Sequence, residues 1–191
     1  MGRIIYLMGK SASGKDTIYK KLLKECHGLC PTLLYTTRPM RDGEKQGEEY
    51  YFITEEELKD FLCMEKVIER RVYHTAVGLW SYATVDDGRI GRGKEDYLAI
   101  GTLESYEKIK KYFGDLVVPV YIMVENGIRL ERALKRERQQ REPNYVEMCR
   151  RFIADEEDFS KENLERLGIF EFYENEDLDL CIAKIRKKIE L

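Results

Sequence analysis

The chain has 191 residues, enough for one α/β domain with a mobile insertion and a sizeable core, since domains typically hold about 100 to 200 residues. Charged residues make up 36% of it, yet the net charge is −3 with acids and bases interspersed. That excludes a nucleic-acid surface and a polybasic membrane anchor, and leaves a small, locally held anion as the expected partner. Five scattered cysteines, and no N-terminal apolar segment resembling a leader or a span, predict free thiols and a cytoplasmic location.

The apolar run Ile4-Ile5-Tyr6-Leu7-Met8 predicts a strand, and Ile18, Leu22, Leu23 and Cys26 share one face of a following helix. Between them stands Gly9-Lys10-Ser11-Ala12-Ser13-Gly14-Lys15-Asp16-Thr17. Strand, glycine loop and helix in that order make a phosphate cradle. Glycines let successive N–H groups turn toward an anion, the helix start adds positive potential, and Lys15 reaches the outer phosphates. The pattern G-x-x-x-x-G-K-[ST] expects a hydroxyl after the lysine to help hold magnesium; here Asp16 takes that place and Thr17 comes one residue late. Asp16 reads two ways, as an orienter of metal-bound waters or as an N-terminal acid favoured by the helix dipole. Cys26, His27 and Cys30 lack a second ligand pair and read as packing rather than zinc ligands.

Residues 32–37 predict a short strand leading into Arg38-Pro39-Met40-Arg41-Asp42-Gly43-Glu44, where Pro39 and Gly43 bar a helix. Two guanidinium forks on one loop suit a second phosphate, although loop arginines are commonly just solvated charges. Residues 47–53 predict another strand, Thr54 with Glu57 a capping box before a helix carrying Leu58, Phe61 and Leu62, and Val67-Ile68-Glu69 an extended run. Glu69 is either a carboxylate accepting two N–H bonds from a purine edge or an exposed strand-end acid. Residues 86–93 predict a loop, 96–100 a strand, 105–113 a crossover helix, and 116–124 a buried strand with Pro119 near its start or at an unpaired edge. A helix over 128–141 carries Arg129, Arg132, Arg136, Arg138 and Arg141, Pro143 breaks it, and a second helix carries Arg150 and Arg151. Residues 169–173 predict the last strand and 177–190 a closing helix.

The order Tyr35-Thr36-Thr37-Arg38-Pro39-x-Arg41-x-Gly43-Glu44-x-x-Gly47-x-x-Tyr50-x-Phe52, followed by Ile68-Glu69, closely resembles the monophosphate-binding region of guanylate kinases. With the phosphate loop, the likeness covers most of residues 3–85 and continues more weakly to the C-terminus. The resemblance implies an α/β P-loop kinase fold: a central parallel sheet flanked by helices, a small mixed GMP-binding subdomain and a helical lid. These form a single domain with its core at 1–33, 94–127 and 157–191, its GMP-binding region at 34–93 and its lid at 128–156. It implies that Gly9, Ser11, Ala12, Ser13, Gly14, Lys15, Asp16 and Thr17 hold ATP. Arg38, Arg41, Tyr50 and Tyr82 would hold the GMP phosphate, Glu69 would read guanine N1 and the 2-amino group, and Thr84 would lie near the base. Arg132, Arg136 and Arg151 resemble lid arginines that close over the transferring phosphoryl group, with Arg138, Arg141 and Arg150 as alternates. Asn175-Glu176-Asp177-Leu178 resembles an element that capping and packing explain, or an adenine contact.

Two departures stand out. Leu34 replaces a Ser or Thr that touches guanine in the family, and Gly101-Thr102-Leu103-Glu104 replaces an acidic pair. Base recognition and magnesium placement are expected to be weakened, with Asp16 or Glu104 as compensating acids. The expected reaction is phosphoryl transfer from ATP to GMP or dGMP, with Mg2+ held mainly by nucleotide phosphates and water, beside Asp16 or Thr17. Two alternatives are a P-loop kinase acting on a different phosphorylated acceptor, motivated by Leu34, and a catalytically inactive guanylate-kinase-like binding module. Neither nucleic acid nor membrane is expected as a partner.

Overall fold

Six consecutive buried residues make β1 (Ile4–Gly9), the central strand of the molecule. Because strand side chains alternate, Ile4, Tyr6 and Met8 pack into one apolar layer while Ile5 and Leu7 pack into the other. The structure is a computed structural model and describes residues 2–75, 78–90 and 93–190. Of the loop expected over 86–93, residues 91 and 92 lie outside the described residues.

From β1 the chain runs through α1 (Lys15–Glu25), β2 (Leu29–Pro31), β3 (Tyr35–Thr36), β4 (Tyr51–Phe52), α2 (Glu55–Cys63), β5 (Val67–Thr75), β6 (Gly78–Val85), β7 (Asp96–Gly101) and α3 (Leu103–Phe113). A 3₁₀ turn over Gly114–Leu116 precedes β8 (Val117–Met123), α4 (Asn126–Arg138), α5 (Tyr145–Asp158), α6 (Lys161–Arg166), β9 (Phe172–Glu174) and α7 (Leu178–Glu190). Five strands in the order β2-β7-β1-β8-β9 form a parallel sheet. The other four, ordered β4-β3-β6-β5, form a smaller mixed sheet. A parallel sheet must be covered on both faces. Ile18 and Leu22 of α1 with Cys181, Ile182 and Ile185 of α7 cover one face. Tyr106 and Ile109 of α3 with Phe159 and Ile169 cover the other. This is the expected fold class. No helix among the described residues is long and apolar enough to cross a membrane.

The capping box before α2 is present as read: Thr54 accepts from the Glu57 amide at 3.1 Å and Glu57 accepts from the Thr54 amide at 2.7 Å. The strand expected over 32–37 is instead divided between the two sheets. Leu29–Pro31 pairs with β7, the Thr32 amide still donates to Leu98 at 2.9 Å, and only Tyr35–Thr36 joins the second sheet. Likewise the strand expected over 47–53 shortens to Tyr51–Phe52, because Gly47 turns the chain at φ 77°. Pro119 lies inside β8, opposite Tyr6. Since β9 pairs only with Tyr121–Met123, one side of β8 is open at the proline, as its missing donor requires.

Candidate functional site

The loop between β1 and α1 is held by close packing. A Cβ on Gly9 would come within 2.7 Å of the Ile122 carbonyl and 2.8 Å of Ser13 Oγ. Gly14, at φ 85°, caps α1, and a Cβ there would run into the Asn175 amide. Ala12 also sits in the left-handed region at φ 62°, a conformation that costs an L-residue about 1–2 kcal/mol. Asn175 is buried and donates to the Ser13 carbonyl at 2.8 Å, while its own carbonyl accepts from Arg132 at 3.0 Å. Asn175 is therefore a brace for the loop, and Asp177 caps α7 by accepting from the Asp179 and Leu180 amides. Lys15 opens α1 with its ammonium unpaired among the described residues. Asp16 and Thr17 lie exposed on the same first turn. Ser13 Oγ is buried without a hydrogen-bond partner.

The helices α4 and α5 grip this loop from outside. Arg129, only 1% exposed, donates to the Ser11 carbonyl at 3.1 Å, to Asn126 at 2.8 Å, to Glu156 at 2.6 Å and to Asp155 at 3.1 Å. Its guanidinium also lies over the Phe152 ring at 4.6 Å. Asp155 accepts from the Ser11 amide at 2.7 Å, and Lys10 pairs with Glu156 at 2.7 Å. A buried cation is thus matched by two carboxylates, as burial demands. Arg136 and Arg151 line a cavity of about 210 Å³ together with Ser11. Arg151 and Arg150 are both held by Glu147, each at 2.7 Å. Those two arginines pull the Glu147 carboxyl down to about 2.

A second set of charged groups gathers where the two sheets meet. Arg38 is buried, its fork donating to Glu44 at 2.7 Å and to the Pro39 carbonyl at 2.9 Å. The rings of Tyr50 and Phe52 lie 5.5 and 5.4 Å from it. Glu44 also accepts from the Arg41 amide at 2.7 Å, while the Arg41 side chain points into solvent. Hydrogen bonds from Arg38 and from the Arg41 backbone hold the Glu44 carboxyl below its ordinary value. Tyr50 and Tyr82 meet edge to face at 5.6 Å. Between the sheets lies a cavity of about 210 Å³ lined by Tyr6, Leu34, Tyr50, Arg71 and Thr84 among others.

Glu69 turns toward Thr84, which lines this cavity, because of an irregularity in β5. Val67 stands opposite Val85 and Glu69 opposite Thr84, with Ile68 as the extra residue of a bulge. In an unbroken strand Val67 and Glu69 would share a face. The bulge lets Val67 pack with Val85, Leu58 and Tyr35 while Glu69 turns to the other side. There Glu69, 3% exposed, accepts from Thr84 at 3.3 Å and from Arg71 at 3.4 Å. Glu69 is not an exposed strand-end acid.

The acid missing at Gly101 has a steric counterpart: a Cβ there would collide with the Tyr6 hydroxyl. Burial pushes the Tyr6 phenol up from its ordinary value, a hydrogen bond with Ser105 partly opposing it. Glu104 is exposed and paired with Lys108 at 2.6 Å. The sequence-predicted residues therefore fall in three groups: the loop between β1 and α1 with Arg132, a cavity holding Arg136 and Arg151, and the inter-sheet cluster of Arg38, Tyr50, Glu69, Tyr82 and Thr84. Arg129, Asp155 and Arg71 escape the sequence reading. For Arg71 a signal exists, since two places beyond Glu69 on a strand is the same face.

A family model described as guanylate kinase matches residues 1–190. A guanylate kinase of Porphyromonas gingivalis is 25% identical over 197 residues, covering 99% of this chain and 97% of that protein. One of Thermotoga maritima is 31% identical over 136 residues, covering 71% of this chain and 64% of that protein. Among solved structures, guanylate kinase from Anaplasma phagocytophilum shares the fold with a TM-score of 0.62 at 21% identity, over 99% of this chain and 85% of that one.

Proposed function

The chain belongs to the guanylate kinase family, and from that membership we propose that it transfers a phosphoryl group from ATP to GMP or dGMP. The observation that carries this reading is Glu69, a buried carboxylate bonded to Thr84, which lines the inter-sheet cavity. Guanine presents the N1–H and 2-amino donors side by side, which a carboxylate satisfies, whereas adenine has an acceptor at N1. A buried acceptor left unpaired by the wrong base gives strong discrimination.

In this reading Arg38, Arg41, Tyr50 and Tyr82 fix the acceptor phosphate. Gly9, the loop from Ser11 through Gly14, Lys15, Asp16 and Thr17 receive ATP, and Arg132, Arg136 and Arg151 close over the group in transfer. Catalysis then consists of alignment, charge stabilisation and exclusion of water, with the lid helices moving to achieve it. Mg2+ arriving with ATP would neutralise phosphate charge. Among the described residues no three His, Cys, Asp or Glu cluster to hold a metal. The exposed oxygens of Asp16 and Thr17 fit a hard cation carried mainly by phosphates and water. The division of labour follows the segments 1–33, 94–127 and 157–191 as core, 34–93 as acceptor region and 128–156 as lid, in a cytoplasmic enzyme.

The test is ADP release by purified protein with ATP and Mg2+ against GMP, dGMP, AMP, UMP and CMP. GMP-selective turnover is expected. Turnover with another acceptor alone, or nucleotide binding with no turnover, overturns the proposal.

A further inference from the structure

We propose that Arg71 is a specificity-determining residue that donates to the O6 atom of guanine, taking over the base contact that Leu34 cannot make. The proposal rests on GMP being the acceptor. Four observations carry it.

Arg71 and Glu69 stand two residues apart on β5, beyond the bulge, and so share the face that carries Thr84 and Tyr82 of β6. Arg70, between them, turns the other way and bonds Ser81 Oγ at 2.9 Å. Arg71 lines both the inter-sheet cavity and an adjoining cleft of about 450 Å³, and Leu34 lines the same two spaces. An apolar side chain and a guanidinium thus face one volume, and only the second can donate to a base.

The guanidinium is also poorly used by the protein itself. Its bond to Glu69 is long, at 3.4 Å, and its Nε is buried without a partner. Among the described residues no other group accepts from it. Five fixed donors with one weak partner suit a residue that awaits an acceptor.

Finally, the pair matches the base edge in order. Guanine presents O6 as acceptor, then N1–H and the 2-amino group as donors. Arg71 beside Glu69 offers donors next to a two-oxygen acceptor, the complement of that sequence. Adenine reverses the first position and would set its 6-amino group against the guanidinium. Glu69 alone rejects adenine at N1; with Arg71 the site rejects it at two adjacent positions.

The experiment compares GMP, 6-thio-GMP, which keeps N1–H and the 2-amino group but replaces O6 by a weak acceptor, and IMP, which keeps O6 but lacks the 2-amino group. The unaltered protein is expected to prefer GMP over 6-thio-GMP by about 10- to 100-fold in kcat/KM, the range of a hydrogen bond to a charged group. In Arg71→Met the GMP value falls by about that factor through KM, 6-thio-GMP changes little, and the preference approaches one. The preference for GMP over IMP, which reports Glu69, stays. Leu34→Ser added to Arg71→Met restores a donor and part of the preference. If the unaltered protein treats GMP and 6-thio-GMP alike, or if Arg71→Met lowers all three acceptors equally, Arg71 merely positions Glu69 and the proposal is wrong. Failure of the unaltered protein to phosphorylate GMP at all overturns the acceptor assignment itself, and this inference with it.

Discussion

The hydroxyl of Tyr6 occupies the space that a side chain on Gly101 would need, and the Tyr6 ring carbon Cζ stands 3.2 Å from that position. The acid that the family resemblance leads one to expect near here is therefore not simply absent. Its volume is filled from the neighbouring strand by Tyr6, which is only 2% exposed.

Gly101→Asp is accordingly expected to overpack the core rather than restore a metal ligand. Inserting atoms into a filled interior costs about 1–3 kcal/mol, so the urea midpoint should fall by a corresponding amount. Gly101→Ala should show most of the same loss, and Tyr6→Phe with Gly101→Ala should recover part of it, since the closest clash is with the oxygen. An unchanged midpoint in Gly101→Asp would mean that Tyr6 can move.

Under the proposed base contact, replacing Glu69 by Gln would turn one carboxylate oxygen into a donor facing the guanine donors. We expect kcat/KM for GMP to drop by about 10- to 100-fold, the range of a charged hydrogen bond, with the KM for ATP nearly unchanged. Steady-state kinetics with each substrate varied in turn checks both. An unaltered GMP preference would show the base to lie elsewhere.

Arg129→Ala strips Asp155 and Glu156 of their buried cation. Breaking one partner out of a buried ionic cluster typically costs about 3–5 kcal/mol, which equilibrium unfolding in urea would register. Because Asp155 then stands uncompensated, Arg129→Ala combined with Asp155→Ala should destabilise by less than the sum of the two. Strict additivity would dissolve the cluster into independent contacts.

The opening strand, glycine loop and helix, the capping box at Thr54 and Glu57, and the helical stretches are legible in the sequence because each rests on contacts within a few residues. What escapes depends on partners far along the chain. Arg129 reads as one more charge in a run over 128–141, and nothing local distinguishes it. The carboxylates that make it a buried residue come 26 and 27 positions later. The split of residues 32–37 between two sheets escapes for the same reason, since β7 and β6 decide which half pairs where. Arg71 is hidden differently: alternation announces its face, but only the bulge at Ile68 tells which face that is.

Glu147 offers a titration test. Held by Arg150 and Arg151, its carboxyl should titrate near 2, against about 4.3 for an unperturbed glutamate. Because the folded value is the lower one, the stabilisation is fully present above the unfolded value and fades as pH falls from there through the folded value. Side-chain carboxyl NMR on the native protein should show no Glu147 transition near pH 4, and Arg150→Ala with Arg151→Ala should return it there. A native transition at pH 4 would mean that the two arginines are free.

The bulge in β5 gives this protein something like a reading frame. Were the strand to pair without it, Glu69 would face Ala83 and enter the apolar cluster of Tyr35, Leu58 and Val85. Burying a carboxylate there without a partner is prohibitive. The solvation of one charge thus polices the register of the whole hairpin, and a chain that folds at all delivers Glu69 and Arg71 to the side that carries Thr84 and Tyr82.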